Sequence, residues 1–530
     1  MKKIIKYLFL LTGGSFILAS CNDFLDREPL DSVTPDNFFF TENDLAAYAV
    51  KHYNFTTHEG FNAGIWKNDN ATDNQAATDY DKKWIPGQWK VPEAYDNPAS
   101  NDPWYFSAIR EANYFLETVV PRFEKGEIEG SETNIKHYIG EMYFLRAKNY
   151  LSKLETFGDF PIIKNTLPDE SESLIQASKR APRYKVAHFI LEDLDQAISL
   201  LTNNISGGKN RITKNAALLL KSRAALFEAS WLTYHKGTAL VPGGPGWPGK
   251  AEDIADFNID TEIAFFLKEA KAAAKEVIGN AALVQNTAKD CMDETVKTDE
   301  DKYKMSNPYF AQFSANSLEG YSEILMWRAY NLLDYKIVHS APFYIRVGGN
   351  TGFTRQYIES FLCRDGKPIY ATDQYKGDES LSDVRKNRDL RLQLFLMTSG
   401  ETLSPNVMNG TPDLLPEVPQ LLDITEKRCV TGYQVRKGLS GNWYRDGNTA
   451  IEGCPVYRAA EAYLNYIEAD CMEHNGTSIG SEAAGYWGDL RERAGLPRDY
   501  TVTVNNTDLS KELDWAIYSA GKLVSPLLYN

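Results

Sequence analysis

The sequence has few of the residues from which metal sites and disulfide frameworks are built. Six cysteines and seven histidines occur among its 530 residues. The five cysteines after Cys21 are widely spaced and include no Cys-x-x-Cys pair, so we expect buried thiols and no metal site. Because five is an odd number, at least one of them stays free even where disulfides are permitted. They are Cys291, Cys363, Cys429, Cys454 and Cys471.

Positive charge is also scarce. There are 57 Lys and Arg against 72 Asp and Glu, which gives a formal net charge of −15. A nucleic-acid partner is therefore not expected, because phosphate binding requires a basic face. The 43% apolar and 24% charged fractions are typical of a folded soluble protein with a large core. Aromatic residues make up 12%, which supplies rings for a core and for stacking on ligands.

Common catalytic motifs are missing. Neither His-Glu-x-x-His nor Gly-x-Ser-x-Gly occurs. The stretch from Gly244 to Ala251 nearly spells a phosphate-binding loop. However, Ala251 lacks the hydroxyl that binds magnesium, and two prolines remove backbone N–H donors. The acidic residues are numerous enough to include a glycosidase carboxylate pair, but no pattern selects one.

Long apolar runs are absent beyond the N-terminus. There, a Lys-rich start precedes an apolar run from Tyr7 to Leu18 that is too short to span a bilayer and has the form of a signal peptide. It ends in Leu18-Ala-Ser-Cys21, which looks like a lipobox, so cleavage would make Cys21 the lipid-modified first residue. An ordinary signal peptide with a nearby cysteine is the alternative. We expect the mature protein to be anchored on a membrane through Cys21, without crossing it.

Helical periodicity dominates the rest of the chain. In residues 134–157 apolar side chains recur at helical spacing and cover most of the circumference, which predicts a helix buried on several sides. Ser131 or Thr133 is expected to cap it, and Gly158 to follow its end. Further helices are predicted from Thr41 or Asn43 to Tyr53, over 103–119, from Pro182 to Leu201, from Thr213 to Trp231, and over 261–278, 354–363, 456–473 and 482–494.

In two other stretches the periodicity does not predict a helix. Residues 56–103 are rich in Asn, Asp, Gly and Pro, which predicts a long loop of the kind that carries function. Residues 323–330 fit either a strand or a buried helix.

A weak internal repeat is also present. Arg146-Ala-x-x-Tyr150 and Arg223-Ala-x-x-Phe227 lie 77 positions apart, a distance of about two tetratricopeptide-like helix pairs. Arg458-Ala459 is a looser third copy.

Short motifs along the chain resemble those of a known family. They are Cys21-Asn-Asp-Phe-Leu-Asp, Thr34-Pro-Asp-Asn-Phe-Phe, Ala112-Asn113, Phe-Leu-Arg-Ala and Phe-Gly-Asp-Phe-Pro within 141–163, Ile212 to Arg223, Gly366-Lys-Pro, Arg388-Asp-Leu-Arg391, Val456 to Ala469 and Leu490 to Pro497. In this order they resemble the SusD/RagB family, the surface glycan-binding lipoproteins of Bacteroidetes-type bacteria.

The resemblance implies an architecture and a role. We expect a mainly α-helical fold with tetratricopeptide-like helix pairs, long loops and a few short strands. After the signal peptide at 1–21, residues 22–530 would form one domain with an N-terminal part at about 22–230 and a C-terminal part at about 300–530. The role would be that of a non-enzymatic glycan receptor and lid on a SusC-like, TonB-dependent outer-membrane transporter, without a cofactor. Family members usually continue into an Arg/Glu-rich segment, so we expect that this chain lacks its final segment.

The candidate glycan site follows from the same resemblance, because the family binds ligands through the N-terminal loop and a segment near 300–330. Sugar rings stack on aromatic faces, and their hydroxyls bind polar side chains. The candidates are Asp73, Asn74, Tyr80, Trp84 and Trp89 in the loop, and Tyr309 and Trp327 in the second segment. A core position is favoured for Trp104 and is equally open for Trp327. A surface glycoside hydrolase and a structural lid without sugar affinity are the alternative functions.

Overall fold

The computed structural model describes residues 38–70, 72–79, 104–286, 307–334, 336–399, 402–404, 413–414, 419–440 and 449–508. In this part of the chain the fold is mainly α-helical, with short strands joined by long loops, as the sequence predicts. The first seven helices are α1 Glu42–Lys51, α2 Ser107–Glu124, α3 Glu132–Phe157, α4 Ser171–Ala177, α5 Arg183–Leu200, α6 Lys214–Tyr234 and α7 Ile259–Asn280. The later ones are α8 Pro308–Ala311, α9 Ala341–Val347, α10 Arg355–Ser360, α11 Leu381–Arg385, α12 Leu390–Phe395, α13 Ala460–Glu473, α14 Ser481–Arg493 and α15 Thr501–Val504.

The helix boundaries follow local chemistry. Thr41 forms a capping box with Asp44 at the start of α1, and the Thr213 hydroxyl accepts the Ala216 N–H at the start of α6. Pro182 directly precedes α5. Gly158 follows α3 with a φ of 71°, a conformation that glycine adopts without steric cost. The Thr41 and Thr213 caps, the start after Pro182 and the end at Gly158 are confirmed. Ser131 stands at the N-cap position of α3, but its side chain makes no capping hydrogen bond, so the cap expected from Ser131 or Thr133 is wrong in that respect.

The long helices share one core. Helix α3 contacts α1, α2 and α5, while α6 lies between α5 and α7, and α13 packs on α7 and α14. Helix α3 is buried on several sides, as its pattern predicts. Among the described helices, none combines the length and the apolar character needed to cross a bilayer.

Three two-stranded antiparallel sheets lie in the described part of the chain. Strand β1 (Gln75–Ala77) pairs with β3 (Thr351–Phe353), β2 (Ile324–Arg328) with β6 (Cys454–Arg458), and β4 (Thr402–Ser404) with β5 (Asp413–Leu414). Residues 324–328, which periodicity left open, are therefore a strand. The helix predicted to begin at 456 is wrong at its start, because 454–458 pair with β2 and α13 begins only at Ala460. Arg458 ends a strand, so the looser third copy of the repeat is not a helical one.

Ion pairs between helices, one of them buried, explain several of the motifs. Arg146 of α3 donates two hydrogen bonds of 2.7 Å each to Asp193 of α5 and a third to Asn113 of α2. Arg223 of α6 donates to both carboxylate oxygens of Glu461 of α13. The two arginines of the weak repeat therefore each join neighbouring helices. Cys363, Cys429, Cys454 and Cys471 are buried, as expected, and Cys291 lies outside the described residues.

Candidate functional site

A cavity of about 420 Å³ opens where the N-terminal loop meets the C-terminal part of the chain. Its walls come from two small hydrophobic clusters, one around Tyr309 and Phe395 and the other around Phe353 and Leu392. Aromatic and ionic side chains share the lining. These are Trp66, Asp69, Tyr309, Phe353, Tyr357, Phe361, Arg391, Phe395, Lys437 and Arg458. A cavity of this size and composition fits a small ligand.

Trp66 forms one wall of the cavity, and contacts from three neighbouring segments hold this residue in place. It lies in the short 3₁₀ segment Gly64–Asn70. The buried Gln75 amide donates to the Trp66 carbonyl at 2.9 Å, and the Ile65 N–H donates to His58 Nδ1 at 3.2 Å. Gly438, with a φ of 86°, lies against the indole, so that a Cβ at 438 would overlap the Trp66 ring. The Trp66 face is thus positioned before any ligand arrives.

Lys437 lies among aromatic rings. Its ammonium is 4.6 Å from the Phe313 ring centroid, 5.4 Å from that of Trp66 and 5.6 Å from that of Phe395. Such cation–π contacts are attractive but do not neutralise the charge. Removal from water lowers the pKa of Lys437 to about 7, and the Arg458 guanidinium also lowers it.

The two arginines of the lining are fixed by buried carboxylates. Arg391 donates to Asp389 at 2.6 Å, and Asp389 also caps α12 by accepting the Arg391 N–H. Arg458 donates to Glu323 at 2.9 Å. Glu323 is fully buried and also accepts from Arg493 at 2.6 Å. One carboxylate thus serves two guanidinium groups, which leaves an excess of positive charge on this wall.

Hydroxyl and carboxylate groups complete the lining. Tyr357 and Ser360 both lie on the short helix α10, and burial raises the pKa of Tyr357 to about 12. Its phenol is therefore a neutral hydrogen-bond donor and acceptor at neutral pH. Asp69 is exposed and supplies an acceptor at the rim. Aromatic faces, donors and acceptors are the groups that bind a sugar.

The predicted site residues lie in different places. Tyr309 lines the cavity but is 4% exposed and packs against Phe313 and Phe395. Asp73 and Asn74 are exposed and precede β1, where their backbone carbonyls accept hydrogen bonds from Thr354. Outside the described residues lie Cys21, Tyr80, Trp84 and Trp89.

The tryptophans with a core alternative are packed in the structure. Trp327 is 5% exposed, and its indole N–H donates to Glu319 at 3.0 Å. Its burial favours the core alternative. Trp104 packs on Phe157 with ring centroids 4.2 Å apart, as favoured from sequence.

Sequence reasoning missed much of the cavity. Trp66 and Tyr309 stood in the two predicted segments, but Tyr357, Phe395 and Lys437 did not. Arg391 was visible as part of Arg388-Asp-Leu-Arg391, although nothing in that motif indicated a ligand. Lys437 follows Val-Arg in an irregular stretch that carries no motif. Long-range packing, which a single sequence does not display, brings these residues together.

Two family sequence profiles match the chain. The profile described as "SusD family" matches residues 296–518. The profile described as "Starch-binding associating with outer membrane" matches residues 23–226. The two matches do not overlap, and together they span most of the chain.

Two individual relatives match shorter stretches of this chain, at low sequence identity. The chain is 27% identical over 203 residues to SusD-like protein P38 of Formosa agariphila, covering 37% of each chain. It is 26% identical over 258 residues to SusD-like protein P2 of the same organism, covering 47% of this chain and 45% of that one. The matches therefore span less than half the length of these curated relatives.

Solved structures share the fold. A SusD-like protein of Bacteroides fragilis aligns with a TM-score of 0.59 at 22% identity, over 92% of this chain and 84% of that one. A SusD-like carbohydrate binding protein of the same organism aligns with a TM-score of 0.53 at 16% identity, over 87% and 79%. At these identities the likeness concerns the fold.

Proposed function

Because this chain belongs to the SusD family, we propose that it is a cell-surface receptor that binds oligosaccharides and passes them to a SusC-like, TonB-dependent transporter of the outer membrane. Lipidation of Cys21 would hold it at that membrane. The description of the N-terminal profile, which refers to starch binding and to the outer membrane, is consistent with both parts of this role. A carbohydrate-binding relative with the same fold supports the binding part.

The cavity beside Trp66 is the single observation that carries the binding role. It combines a positioned indole with the Tyr357 phenol and the Asp69 carboxylate. Its volume of about 420 Å³ is within the range of small-molecule sites. The N-terminal loop and the segment near 300–330, from which the sequence predicted the site, both contribute to the cavity through Trp66 and Tyr309.

Binding without cleavage suits this lining. A glycosidase of the usual kind holds two carboxyl groups on opposite sides of the scissile bond, about 5–10 Å apart. Among the side chains that line the cavity in the described part of the chain, Asp69 supplies the one carboxylate. The basic side chains Arg391, Lys437 and Arg458 recognise polar groups of a ligand but do not form such a pair.

Affinity electrophoresis of the purified mature chain in gels that contain single polysaccharides tests the binding role. We expect retention by at least one glycan, and about tenfold weaker retention after Trp66→Ala or Tyr357→Ala, since loss of a central aromatic contact costs more than about 1 kcal/mol. Tyr105→Ala is the matched control, because Tyr105 is exposed and lies outside the cavity lining.

Each alternative function has its own outcome in this experiment. If the gel retains the Trp66→Ala variant as strongly as the wild type, the glycan site lies elsewhere. The double variant Trp84→Ala with Trp89→Ala is then tested. The absence of retention by any glycan would favour a structural lid. Release of shorter saccharides would favour a hydrolase.

The anchor and the transporter need a separate measurement. Cys21→Ala is expected to release the protein from the outer-membrane fraction. Purification of the wild type in mild detergent is expected to recover the transporter barrel with it. A Cys21→Ala protein that stays membrane-bound would contradict the lipid anchor.

A further inference from the structure

We propose that the cavity beside Trp66 selects acidic saccharides, those with a carboxylate or sulfate group, and that Lys437 is the residue that binds the acidic group. This inference rests on the glycan-binding role proposed above and specifies its ligand class.

The charges around the cavity are not balanced among the described residues. Arg391 is matched by Asp389, whereas Arg458 and Arg493 share the single carboxylate of Glu323. Lys437 makes no ion pair or hydrogen bond with any described residue, and aromatic rings are its close neighbours. Asp69 at the rim is a third carboxylate, so four cationic side chains face three carboxylates. A chain with a net charge of −15 thus places an excess of one positive charge around this cavity.

An ammonium in this setting gains more from an anion than an exposed lysine does. Water screens exposed charges, whereas the rings of Trp66, Phe313 and Phe395 displace water from around Lys437. A carboxylate or sulfate group in the cavity would replace the lost hydration with a charge-assisted hydrogen bond. The sugar ring that carries this group would meet the Trp66 face, which lies 5.4 Å from the same ammonium.

The protonation of Lys437 makes this recognition dependent on pH. The charged groups that act on it are Asp69 of the 64–70 segment, Glu323 before β2, Arg391 of α12 and Arg458 of β6. Burial and the two arginines lower the pKa of Lys437, to about 7, while the two carboxylates raise it. Acidic ligands should therefore bind more tightly at pH 6 than at pH 8, because the ammonium is then more fully charged. A neutral ligand should show no such dependence.

Affinity electrophoresis with matched polysaccharides separates the ligand classes. The probes are polygalacturonate and its carboxyl-reduced, neutral form, and chondroitin sulfate and its desulfated form. Starch and xyloglucan serve as neutral glycans. We expect retention by at least one acidic polysaccharide and at least tenfold weaker retention by its matched form. For polygalacturonate that form is neutral, whereas desulfated chondroitin lacks sulfate but keeps its carboxylates. Weaker retention after carboxyl reduction of polygalacturonate would identify a carboxylate as the bound group. Weaker retention after desulfation of chondroitin sulfate would identify a sulfate.

Two variants assign the effect to one residue. Lys437→Met keeps the aliphatic stem against the rings and is expected to weaken retention by the acidic polysaccharide at least tenfold and to abolish its pH dependence. Lys427→Met, which removes an exposed lysine of a neighbouring loop, should leave retention unchanged. A thermal unfolding scan of Lys437→Met is expected to show no loss of stability, because the variant removes a partly buried charge and no ion pair.

The outcomes distinguish this inference from the function on which it rests. Equal retention by acidic and neutral members, or acidic retention that Lys437→Met leaves intact, would overturn the selectivity for acidic saccharides while glycan binding stands. Retention by no polysaccharide would overturn the glycan-binding role and this inference together.

Discussion

The imidazole rings of His58 and His339 lie with their centroids 4.7 Å apart in the core beneath the Trp66 segment. His58 Nδ1 accepts the Ile65 N–H, and His339 Nε2 donates to the Glu452 carbonyl at 3.0 Å. Both rings are almost fully buried, at 2% and 1% exposure. The pair therefore ties the wall of the cavity to the C-terminal part of the chain in a form that depends on both rings being neutral.

Acidification should destabilise the protein through this pair. Burial lowers the pKa of both histidines, and His339 further lowers that of His58. The unfolded chain takes up these protons near pH 6.5 while the folded chain does not, so this contribution to the free energy of unfolding falls as pH drops below about 6.5. Urea titrations at pH 7.5, 6 and 5 measure it.

A matched pair of variants isolates the histidine contribution. His58→Asn keeps a side-chain acceptor for the Ile65 N–H and cannot be protonated, so its unfolding free energy should fall less between pH 7.5 and 5 than that of the wild type. His474→Asn, on a side chain that is 43% exposed, serves as the control. An identical pH slope for the wild type and His58→Asn would contradict this account.

Glu323→Gln should be among the most destabilising conservative changes in the chain. Its carboxylate accepts from Arg458, Arg493 and the Val284 N–H, and it is fully buried. Removal of one partner from a buried ion-pair network costs about 3–5 kcal/mol, because the remaining charges stay buried without a counterion. Urea unfolding at pH 7.5 measures the loss.

The control for this change is another Glu→Gln substitution. Glu492 pairs with Arg498 at a surface where the two side chains are 65% and 50% exposed. Glu492→Gln should change the unfolding free energy by less than about 1 kcal/mol. Similar losses in the two variants would show that the Glu323 network does not contribute the stability assigned to it.

Gly438→Ala tests the position of Trp66. Glycine at 438 has a φ of 86°, and an added Cβ would overlap the indole. Any residue with a Cβ pays a strain of about 1–2 kcal/mol in the left-handed region. Displacement of Trp66 should in addition weaken glycan retention severalfold.

Gly377→Ala separates strain from displacement. Gly377 has a φ of 90°, and an added Cβ would meet nothing within 4 Å. It should therefore lower stability by a similar strain energy and leave glycan retention unchanged. Equal retention in the two variants would mean that Trp66 tolerates the displacement or does not contact the ligand.

Local signals and long-range packing differ in how far they can be predicted from one sequence. The Thr41 and Thr213 caps and the Gly158 end were predicted because each depends on residues within one helical turn. Strand β6 was taken for the start of a helix because its partner β2 lies about 130 positions earlier, and pairing at that distance leaves no local pattern.

The residues of the cavity differ in the same way in how far they could be predicted. Trp66 and Tyr309 lay in the predicted segments, which the family resemblance supplied. Lys437 gave no signal, because its environment is made by rings from three other segments.

The Arg146–Asp193 pair should be strongly coupled, and a double-mutant cycle measures this. The two side chains are 7% and 4% exposed and share two hydrogen bonds of 2.7 Å. Arg146→Met leaves Asp193 buried without its counterion and should cost about 3–5 kcal/mol at pH 7.5. Asp193→Leu leaves Arg146 buried without its counterion and should lower the free energy of unfolding by a similar amount.

The double variant Arg146→Met with Asp193→Leu should be much less destabilised than the sum of the single changes, because no unpaired charge remains. A residual loss of about 1–3 kcal/mol is expected, since the buried Asn113 oxygen also loses its donor. Burial already raises the pKa of Asp193, and loss of Arg146 removes the main opposing cause. The folded Arg146→Met protein should therefore bind a proton more readily than the unfolded chain, so its deficit relative to wild type should shrink as the pH falls from 7.5 to 5. Strictly additive single changes, or a deficit that does not vary with pH, would mean that this buried pair is not what joins α3 to α5.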